Sequence, residues 1–433
     1  MVEINMLTAY KFRLYPNKEQ QVMFSKYFGC NRVVWNKALE VREEYYKEHK
    51  NDDGKRGLNY YDTAKFLTSL KKEEEYKWLK EANSQSLQQS LMDLDKAFKA
   101  FFKGISKYPN YKKKNNKQSF RVPQFFNFYD GVLYLPKFGK GIKMVEHREF
   151  PRNRVRQVTV SKVPSGKYYV SVLVDDKKRA PKKVKITASP AKTIGIDMGI
   201  KDPVVLSNGI KIGNPKYLQK SEKLLKTRQK QLSRKRLGSN SFHKSRIKVA
   251  RVHEKVANQR HDFLHKVSDA ITKQFDTVVI ESLNLEGMKK NHHIAKAISG
   301  VGIYTFFQFL KYKAERRGKN IIEIGMFDPS SKMCHVCKHI NKELTLEQRE
   351  WECPNCHARL DRNLNAAINI LNFGLEKAGL KPIVFKRSQI PSVRGKLKPV
   401  ENPLAAELTK MKIKVRSTSP GSEKQEAPCG SLG

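Results

Sequence analysis

The sequence predicts a multidomain protein that combines an α/β domain with a separate, mainly β domain. Residues 7–14 and much of the segment 118–178 alternate between apolar and polar side chains, which is the pattern of half-buried strands. The runs TIGID (193–197) and TVVIE (277–281) are apolar up to a final acid and indicate buried strands. Stretches with helical periodicity separate these segments, so we expect more than one folding unit.

The composition excludes a disordered protein and points to a polyanionic partner. With 433 residues, of which 39% are hydrophobic, the chain can form two or three domains with buried cores. It carries 86 Lys and Arg against 42 Asp and Glu, a formal net charge of +44 that is spread along the chain and is typical of nucleic-acid binding. No apolar run reaches the roughly 18 residues of a membrane span. Because residues 1–16 also lack the apolar core of a signal peptide, we expect a soluble cytosolic protein without a membrane partner.

The N-terminal part of the chain is predicted to place helices inside the β domain. The strand segment 7–14 ends at Pro16, and helical periodicity follows over 17–49 with a break predicted near Gly29. A helix is predicted over 84–104, where five apolar residues share one face and are most simply core: Leu87, Leu91, Leu94, Phe98 and Phe101. Since strand 7–14 is expected to pair with strands of 118–178, the helices form an insertion into a small β barrel.

From residue 191 onward the pattern is that of an α/β domain. After a loop rich in Lys and Pro, three strands are predicted within 192–212, with turns at 201–203 and 208–209. The later predicted elements are strand 276–283, helix 300–317, strand 321–327 and helix 362–378. Beyond residue 382 the chain is rich in Lys, Pro, Ser and Gly, and we expect no fixed fold there.

A long basic helical pair, 215–237 and 242–275, lies between these strands. Residues 216–260 hold fifteen Lys and Arg against two acids. That imbalance favours phosphate contacts, for which the candidates are Arg234, Lys235, Arg236, Lys244 and Arg246. The alternative is a solvated charged face on a packed helix, because apolar residues such as Leu224 and Leu232 still recur at helical spacing.

Four of the six cysteines form a pattern typical of a structural zinc site. Cys334, Cys337, Cys353 and Cys356 have the spacing C-x2-C-x15-C-x2-C. Four thiolates leave no open coordination position, so one structural Zn²⁺ is expected. The alternative is four reduced cysteines in a packed core. The nearby His335, His339 and His357 are interpreted as surface residues or nucleic-acid contacts.

Three acids stand where strands or helices can deliver them to one edge of a sheet. Asp197 and Glu281 end apolar strands, where an ionised group is costly unless it is paired or bound to metal. Asp361 opens the final helix, and for it an ordinary N-cap role is an equally good interpretation. Acids on an early strand, a middle strand and a late helix indicate an RNase H-like fold that gathers carboxylates around one or two Mg²⁺ ions, the arrangement used to hydrolyse phosphodiesters.

Four ordered motifs resemble one family. GIDMGIKDPVVLSNG (195–209), VVIESLNLEGM (278–288), the cysteine segment and DRNLNAAINIL (361–371) resemble the three RuvC motifs and zinc ribbon of TnpB. TnpB proteins are transposon-encoded relatives of the miniature type V CRISPR effectors. YKFRLYPNKEQQ near the start and KYPNYKKKNNKQSFRVP (107–123) are also similar, so the resemblance covers nearly the whole chain.

The resemblance implies an RNA-guided DNA endonuclease of a prokaryotic cytoplasm, associated with the nucleoid. It implies a guide RNA derived from the transposon end and a double-stranded DNA target beside a short motif that protein reads. One RuvC site would cut both strands with Mg²⁺, and Asp197 and Glu281 would be the first and second metal-binding acids.

The resemblance also implies domain boundaries. We expect a wedge-type β barrel at 1–16 and 111–190, a helical recognition insert at 17–110, a RuvC-like domain at 191–329 and 358–381, a zinc ribbon at 330–357 and a basic, disordered tail at 382–433.

The third metal-binding acid is where this sequence departs from the family. Members show Asp-Arg-Asp-x-Asn-Ala-Ala, and the second Asp is replaced here by Asn363. Asp361 points about 200° away from position 363 on a helix, so it does not replace that carboxylate without a shift of the helix start. Asn363 can still offer a neutral carbonyl oxygen to Mg²⁺.

Three functions therefore remain open from the sequence. The first is an active or attenuated RNA-guided nuclease. The second is a nuclease-dead relative that binds RNA and marks or represses DNA, which Asn363 motivates. The third is a transposase, whose chemistry also uses three acids.

Overall fold

The structure is a computed structural model that describes residues 5–52, 57–115, 117–199, 202–283, 300–326, 328–345 and 347–384. Parts of three predicted features lie outside the described residues: the turn at 201–203, the motif end at 284–288 and the tail beyond 384. The chain divides into two compact units, residues 1–179 with 235–251 and residues 180–234 with 252–433.

The first unit is built on an antiparallel sheet. Its strands are β1 (Asn5–Tyr15), β2 (Gln118–Val122), β3 (Asn127–Tyr129), β4 (Val132–Tyr134), β5 (Ile142–Val145), β6 (Val155–Lys162) and β7 (Tyr168–Arg179). Their spatial order is β2-β6-β7-β1-β5-β4-β3. β1 pairs with β5 on one side and β7 on the other, which confirms that the N-terminal strand joins the later β segment.

In the described part of the chain this sheet is an open half-barrel, which agrees with the predicted wedge-type β barrel in part. Its two edges are β2 and β3. The helices of the unit are α1 (Lys18–His49), α2 (Tyr60–Leu70), a short 3-10 helix (Glu74–Glu81) and α3 (Ser84–Phe102). α1 and α3 both contact the edge strand β2.

One apolar core joins the sheet to these helices. The inward residues Phe12 and Leu14 of β1 are fully buried and share a cluster with Phe24 of α1 and with Leu87 and Leu91 of α3. Burial of one such side chain stabilises the fold by about 1.5–3 kcal/mol. The period-2 alternation of β1 and the helical spacing of α3 therefore predicted this core correctly.

The predicted helix break near Gly29 is wrong. α1 runs without interruption from Lys18 to His49 and begins at a capping box formed by Asn17 and Gln20. A single glycine costs a helix only about 1 kcal/mol, and buried residues such as Phe24 and Trp35 anchor α1 on both sides of it. Tertiary packing therefore outweighs the local propensity.

The second unit has a mixed five-stranded sheet. Its strands are β8 (Thr193–Asp197), β9 (Val204–Leu206), β10 (Lys211–Ile212), β11 (Thr277–Glu281) and β12 (Asn320–Ile324), in the order β10-β9-β8-β11-β12. β8, β11 and β12 are parallel, whereas β9 and β10 are antiparallel to their neighbours. A separate hairpin consists of β13 (Glu350–Glu352) and β14 (Arg359–Asp361).

Helices cover both faces of this sheet. They are α5 (Asn240–Gln274), α6 (Ile303–Arg316) and α7 (Arg362–Lys377), whereas α4 (Tyr217–Ser233) has no buried residue. On one face Ile280 shares a core with residues of α5 and α6. On the other face Val279 packs with Ile370 and Leu371 of α7. The predicted multidomain α/β architecture is therefore confirmed at this level.

Two glycines let α7 lie directly on the sheet. A Cβ at Gly195 of β8 would lie 2.2 Å from the carbonyl oxygen of Ala367. A Cβ at Gly374 of α7 would lie 2.3 Å from Cγ1 of Val279. Both separations are far below van der Waals contact, so any side chain at these positions would push the helix away from the strands.

No helix within the described ranges combines the length and apolarity that crossing a membrane requires.

Candidate functional site

Two predicted acids stand side by side at the carboxyl ends of adjacent parallel strands. β8 and β11 are in register with Ile196 opposite Ile280, so Asp197 and Glu281 are the next residues along their strands. All four preceding residues of each strand are buried. The apolar strands thus fix the backbone and bring the two carboxylates together at the carboxyl ends of the parallel strands. We call this end of the sheet the carboxylate edge.

The environment of these acids disfavours their charged forms. Burial, with a smaller contribution from Asp361, raises the pKa of Asp197 to about 7, although the Met198 backbone N–H and two arginines, Arg362 and Arg349, oppose the shift. Burial also raises the pKa of Glu281 to about 7, with added repulsion from Asp197. A cation at this edge would relieve both the desolvation cost and the repulsion.

Sequence reasoning missed a further acid, Asp328. It lies in the turn after β12, the parallel strand that neighbours β11, and Glu281 pairs with Ile324 at the end of β12. The charge of Asp328 contributes to the raised pKa of Glu281, so the two carboxylates repel each other. An acid shortly after a strand that runs parallel to the first two was the signal that could have identified it.

Hydrogen bonds fix the turn that carries Asp328. The N–H of Gly325 donates to Asp328 Oδ2 at 2.8 Å, and the N–H of Ser330 donates to the Asp328 carbonyl at 2.7 Å. The Ser330 side chain lowers the pKa of Glu281, so it lies close to that carboxylate. The turn is therefore near the end of β11, and Oδ1 of Asp328 has no hydrogen-bond partner among the described residues.

Asp361 is occupied by structural contacts. It is the N-cap of α7, and its Oδ1 accepts a hydrogen bond from the Leu364 N–H at 2.9 Å. Its Oδ2 lies 2.5 Å from the Lys211 ammonium. Both carboxylate oxygens are thus engaged, which favours the N-cap interpretation over a metal ligand.

Asn363 lies on the sheet-facing side of α7. It precedes Ala367 by four residues, so the two share one face of the helix, and the Ala367 carbonyl touches Gly195 of β8. Gly195 is two residues before Asp197. The Asn363 side chain is partly buried. The helix therefore presents an amide, where the family motif has an acid, toward the strand that carries Asp197.

The four cysteines form a second cluster. Their Sγ atoms all lie within 4.8 Å of one another, and within the described residues this is the one set of three or more Cys, His, Asp or Glu ligand atoms that close together. Sγ of Cys334 is 3.7 Å from Sγ of Cys356, and Sγ of Cys337 is 3.5 Å from Sγ of Cys353. Tetrahedral Zn–S bonds of about 2.3 Å place sulfurs about 3.8 Å apart.

The two cysteine turns have the same backbone geometry. The N–H of Lys338 donates to the Cys334 carbonyl, and the N–H of His357 donates to the Cys353 carbonyl, both at 2.9 Å. Lys338 and His357 both adopt positive φ, 64° and 52°. This repeated turn explains how the C-x2-C spacing brings both pairs of thiols to one point.

The first cysteine turn is anchored to α7 by buried asparagines. Asn365 Nδ2 donates to the Met333 carbonyl at 2.8 Å, and Asn369 Nδ2 donates to the carbonyls of Ser330 and Met333 at 2.8 and 2.6 Å. The segment 330–335 thus joins the cysteine cluster, the Asp328 turn and the helix that carries Asn363. Substitution of one of these cysteines should therefore disturb the geometry of the carboxylate edge.

The interpretation of His335 as a surface or nucleic-acid contact is wrong. His335 is buried, and its backbone N–H and Nδ1 lie 3.0 and 2.9 Å from Asn365 Oδ1. Burial lowers the pKa of His335, and the hydrogen bond with Asn365 opposes this shift. His339 and His357 are exposed, as predicted.

The five predicted phosphate contacts lie at the junction of α4 and α5 and are all exposed: Arg234, Lys235, Arg236, Lys244 and Arg246. None has an ion-pair partner among the residues that the structure describes. A nucleic-acid role for them stays a prediction, and their exposure leaves the solvated-face alternative open.

Comparison with known proteins decides the family. The chain is 39% identical over 384 residues to a "Putative RNA-guided DNA endonuclease" of Streptomyces pristinaespiralis, covering 86% of this chain and 92% of the relative. It is 31% identical over 385 residues to the "Putative RNA-guided DNA endonuclease InsQ" of Escherichia coli K12, covering 85% and 92%. The chain belongs to the TnpB family.

Family models match three parts of this TnpB chain. Residues 169–292 match one described as "Probable transposase", and residues 304–370 match a "Cas12f1-like, TNB domain". Residues 6–51 match a "Helix-turn-helix domain". In the structure that last range holds strand β1 and the single long helix α1, so the match identifies the sequence family and not a helix-turn-helix geometry.

Among solved structures, the TnpB chain is similar to the protein in the "Cryo-EM structure of the Cas12f1-sgRNA-target DNA complex". The identity is 13% and the TM-score 0.46, with 85% of this chain and 99% of the other covered. This similarity is too weak to establish a shared fold.

Proposed function

We propose that this TnpB protein is an RNA-guided DNA endonuclease that hydrolyses phosphodiesters at the carboxylate edge of its five-stranded sheet. The observation that carries the proposal is the placement of Asp197 and Glu281 on adjacent parallel strands, in a chain that is 39% identical to a relative named as such an enzyme. The substrate is double-stranded DNA beside a short adjacent motif, and the guide is RNA from the transposon end.

The strand order supports an RNase H-like, RuvC-type domain. A parallel core of β8, β11 and β12 continues into antiparallel β9 and β10, with helices on both faces. Residues 191–329 and 358–381 form this domain in our proposal, and 330–357 form the zinc ribbon. Residues 1–16 with 111–190 form the wedge and 17–110 the recognition insert. The tail from 382 is a disordered basic segment.

The donor set fits Mg²⁺, which prefers carboxylate and carbonyl oxygens. Asp197 and Glu281 would hold one or two ions, together with Asp328 and the amide oxygen of Asn363. When bound, Mg²⁺ activates the attacking water and stabilises the leaving oxygen. Burial raises the pKa values of Asp197 and Glu281 to about 7, and a bound cation would offset this cost of ionisation.

Several side chains hold the proposed metal-binding groups in position. Ser330 lies close to the Glu281 carboxylate and lowers its pKa, which favours the charged form. Lys211 holds Asp361 in place as the cap of α7, so that Asn363 stays on the sheet-facing side. Arg349 and Arg362 lie near enough to Asp197 to favour its charged form. The four-cysteine cluster fits one structural Zn²⁺, which holds the segment 330–335 against α7.

Reprogramming the guide tests the proposed function. The chain is expressed with the DNA that flanks its gene, the bound RNA is sequenced, and the candidate guide segment is replaced by an unrelated one. We expect Mg²⁺-dependent plasmid cleavage to move to the site that matches the new guide. Cleavage that stays at transposon ends, or that needs no RNA, would instead support the transposase alternative.

Asn363 favours one second candidate, an RNA-guided DNA-binding regulator without nuclease activity. With an amide in place of the usual acid, the site has less negative charge to hold the ions. In the reprogramming experiment this candidate gives guide-dependent DNA binding without strand scission.

A further inference from the structure

The helical part of the first unit contains a cavity that the proposed nuclease reaction does not use. Its volume is about 500 Å³, and it is lined by residues of α1, by residues of the 3-10 helix and by Tyr111. All of these residues belong to the first unit. We call this space the aromatic cavity, because three rings line it: Tyr76, Trp78 and Tyr111.

Two of the rings are open to solvent and are held in place. Trp78 is 40% exposed and Tyr111 is 44% exposed. Trp78 Nε1 donates to the Glu75 carbonyl, and the Tyr111 hydroxyl donates to Glu43 Oε2, both at 2.8 Å. Fixed and exposed aromatic rings attract cations, because the face of each ring carries partial negative charge.

Carboxylates outnumber cations on the wall of the aromatic cavity. Glu40 and Glu75 line it together with a single cation, Lys37. This negative balance is an exception in a chain with a formal net charge of +44. Because carboxylates repel phosphates, the cavity disfavours nucleic acid and favours a positively charged ligand.

Lys37 shows how this cavity holds an ammonium group. Its Nζ lies 2.8 Å from Glu40 Oε2 and 5.9 Å from the centroid of the Tyr76 ring. The hydrogen bond with Glu40 raises the pKa of Lys37. A carboxylate on one side and an aromatic face on the other therefore stabilise one ammonium here.

Glu75 and Trp78 provide a second pair of the same kind. They are three residues apart, so their side chains share one face of the 3-10 helix. Within the described ranges the Glu75 carboxylate has no ion-pair partner, and no cation of the chain lies over the Trp78 ring. This second carboxylate and ring are thus available to an ammonium from outside the protein.

The cavity also offers apolar surface beside these charges. Val33 lines it from α1, where it precedes Lys37 by four residues and Glu40 by seven and so shares their face of the helix. The volume of the cavity is within the range of small-molecule sites, roughly 300–1,000 Å³. A ligand that alternates ammonium groups with short methylene chains would match both the carboxylates and the apolar wall.

We propose that the aromatic cavity binds an aliphatic polyamine, with one ammonium between Glu75 and the Trp78 ring and the methylene chain against Val33 and Tyr111. This inference goes beyond guided cleavage and does not depend on it. It assigns a small organic cation to the helical part of the first unit.

The test is equilibrium dialysis of radiolabelled spermidine against the full chain, purified free of RNA, at neutral pH. We expect saturable binding of one spermidine per chain. Glu75→Gln should weaken it about tenfold, because a charge-assisted hydrogen bond is lost. Trp78→Leu should weaken it about threefold, because one cation–π contact is lost, whereas Trp78→Phe keeps a ring and should retain most of the affinity.

The matched control is Glu19→Gln, which removes the same charge from an exposed position in the first turn of α1. This variant should bind spermidine like the wild type. Glu75 is also exposed, so Glu75→Gln should melt like the wild type. The proposal is overturned if Glu75→Gln loses no more affinity than Glu19→Gln, or if Trp78→Leu binds as tightly as the wild type.

Two competitors distinguish a polyamine site from other cation sites. Mg²⁺ should displace little spermidine, because a hydrated ion gains nothing from the rings or from Val33. Complete displacement at the same concentration of charge would show a diffuse counter-ion site and would overturn the proposal. A trilysine peptide that binds to the wild type when spermidine does not would assign the cavity to a basic protein segment instead.

Discussion

At the scale of single residues, the carboxylate edge carries Asn363 where the family motif has an acid, and a further acid, Asp328, lies nearby. Asn363 occupies the position of the family's third acid on the sheet-facing side of α7. Asp361 is held by Leu364 and Lys211. Asp328 follows the next parallel strand and has a free carboxylate oxygen near Glu281, among the residues that the structure describes. Asp328 is thus the acid best placed to supply the missing charge.

A double-mutant cycle tests whether Asp328 supplies the negative charge that is missing at Asn363. We expect Asp328→Asn to lower the single-turnover cleavage rate by about 10- to 100-fold, because it removes a charged ligand or its neighbour. Asn363→Asp should raise the wild-type rate and should make the loss from Asp328→Asn smaller. Independent, additive effects would show that the two positions do not share a role.

The raised pKa values predict how stability depends on pH. The pKa of Asp197 rises from its usual 3.8 to about 7 on folding, so the folded state favours the protonated form. In the absence of Mg²⁺, stability should therefore fall as pH rises from about 4 to about 7.

Asp197→Asn removes that titration. At pH 8 without Mg²⁺ the variant should melt above the wild type, by about 2–4 °C for each kcal/mol relieved, and the difference should shrink toward pH 4. Thermal unfolding followed by circular dichroism measures it. Equal melting temperatures of the wild type and Asp197→Asn at pH 8 would mean that ionisation of Asp197 does not destabilise the folded protein.

Local sequence patterns predicted some site residues and not others. Asp197 and Glu281 could be found because each interrupts an apolar strand. Asp328 lies in a turn, where no periodicity marks it, and its position depends on the pairing of β11 with β12. His335 was misjudged because its burial against Asn365 depends on how α7 packs.

At the scale of elements, the segment 330–335 links the cysteine cluster to α7. Asn365 and Asn369 donate to its carbonyls, and Ser330 lies close enough to Glu281 to lower its pKa. Sequence spacing predicted the cysteine cluster because its turns are local. It did not predict the continuity of α1 or the open sheet, since both depend on packing between distant segments.

Removing one thiolate should therefore impair the carboxylate edge. We expect Cys353→Ser to lower zinc content, to increase hydrogen exchange in α7 and to reduce cleavage together with these changes. The matched control is Cys30→Ser in the first unit, and this variant should retain the zinc of the four-cysteine cluster. A zinc-free Cys353→Ser protein with full activity would contradict the link.

The junction of α4 and α5 carries the predicted phosphate contacts. Reversing the charge of Arg234, Lys235 and Arg236 should weaken nucleic-acid binding and flatten its salt dependence, because up to three phosphate contacts are lost. Binding measured from low to high salt checks this. An unchanged affinity across the series would leave only the solvated-face interpretation.

At the scale of the whole molecule, the charge of +44 suits a protein that holds RNA and DNA over much of its surface. The second unit brings Asp197 and Glu281 together on neighbouring strands. Family membership and this edge together support guided cleavage of DNA.

The most direct test compares wild-type and Asp197→Asn ribonucleoproteins on a plasmid that matches the guide, with Mg²⁺, and measures cleavage and DNA binding side by side. We predict that the wild type cuts both strands at the matched site and that the variant binds equally well but does not cut. Guide-dependent binding by both proteins with cleavage by neither would contradict the account and would make this chain a DNA-binding regulator.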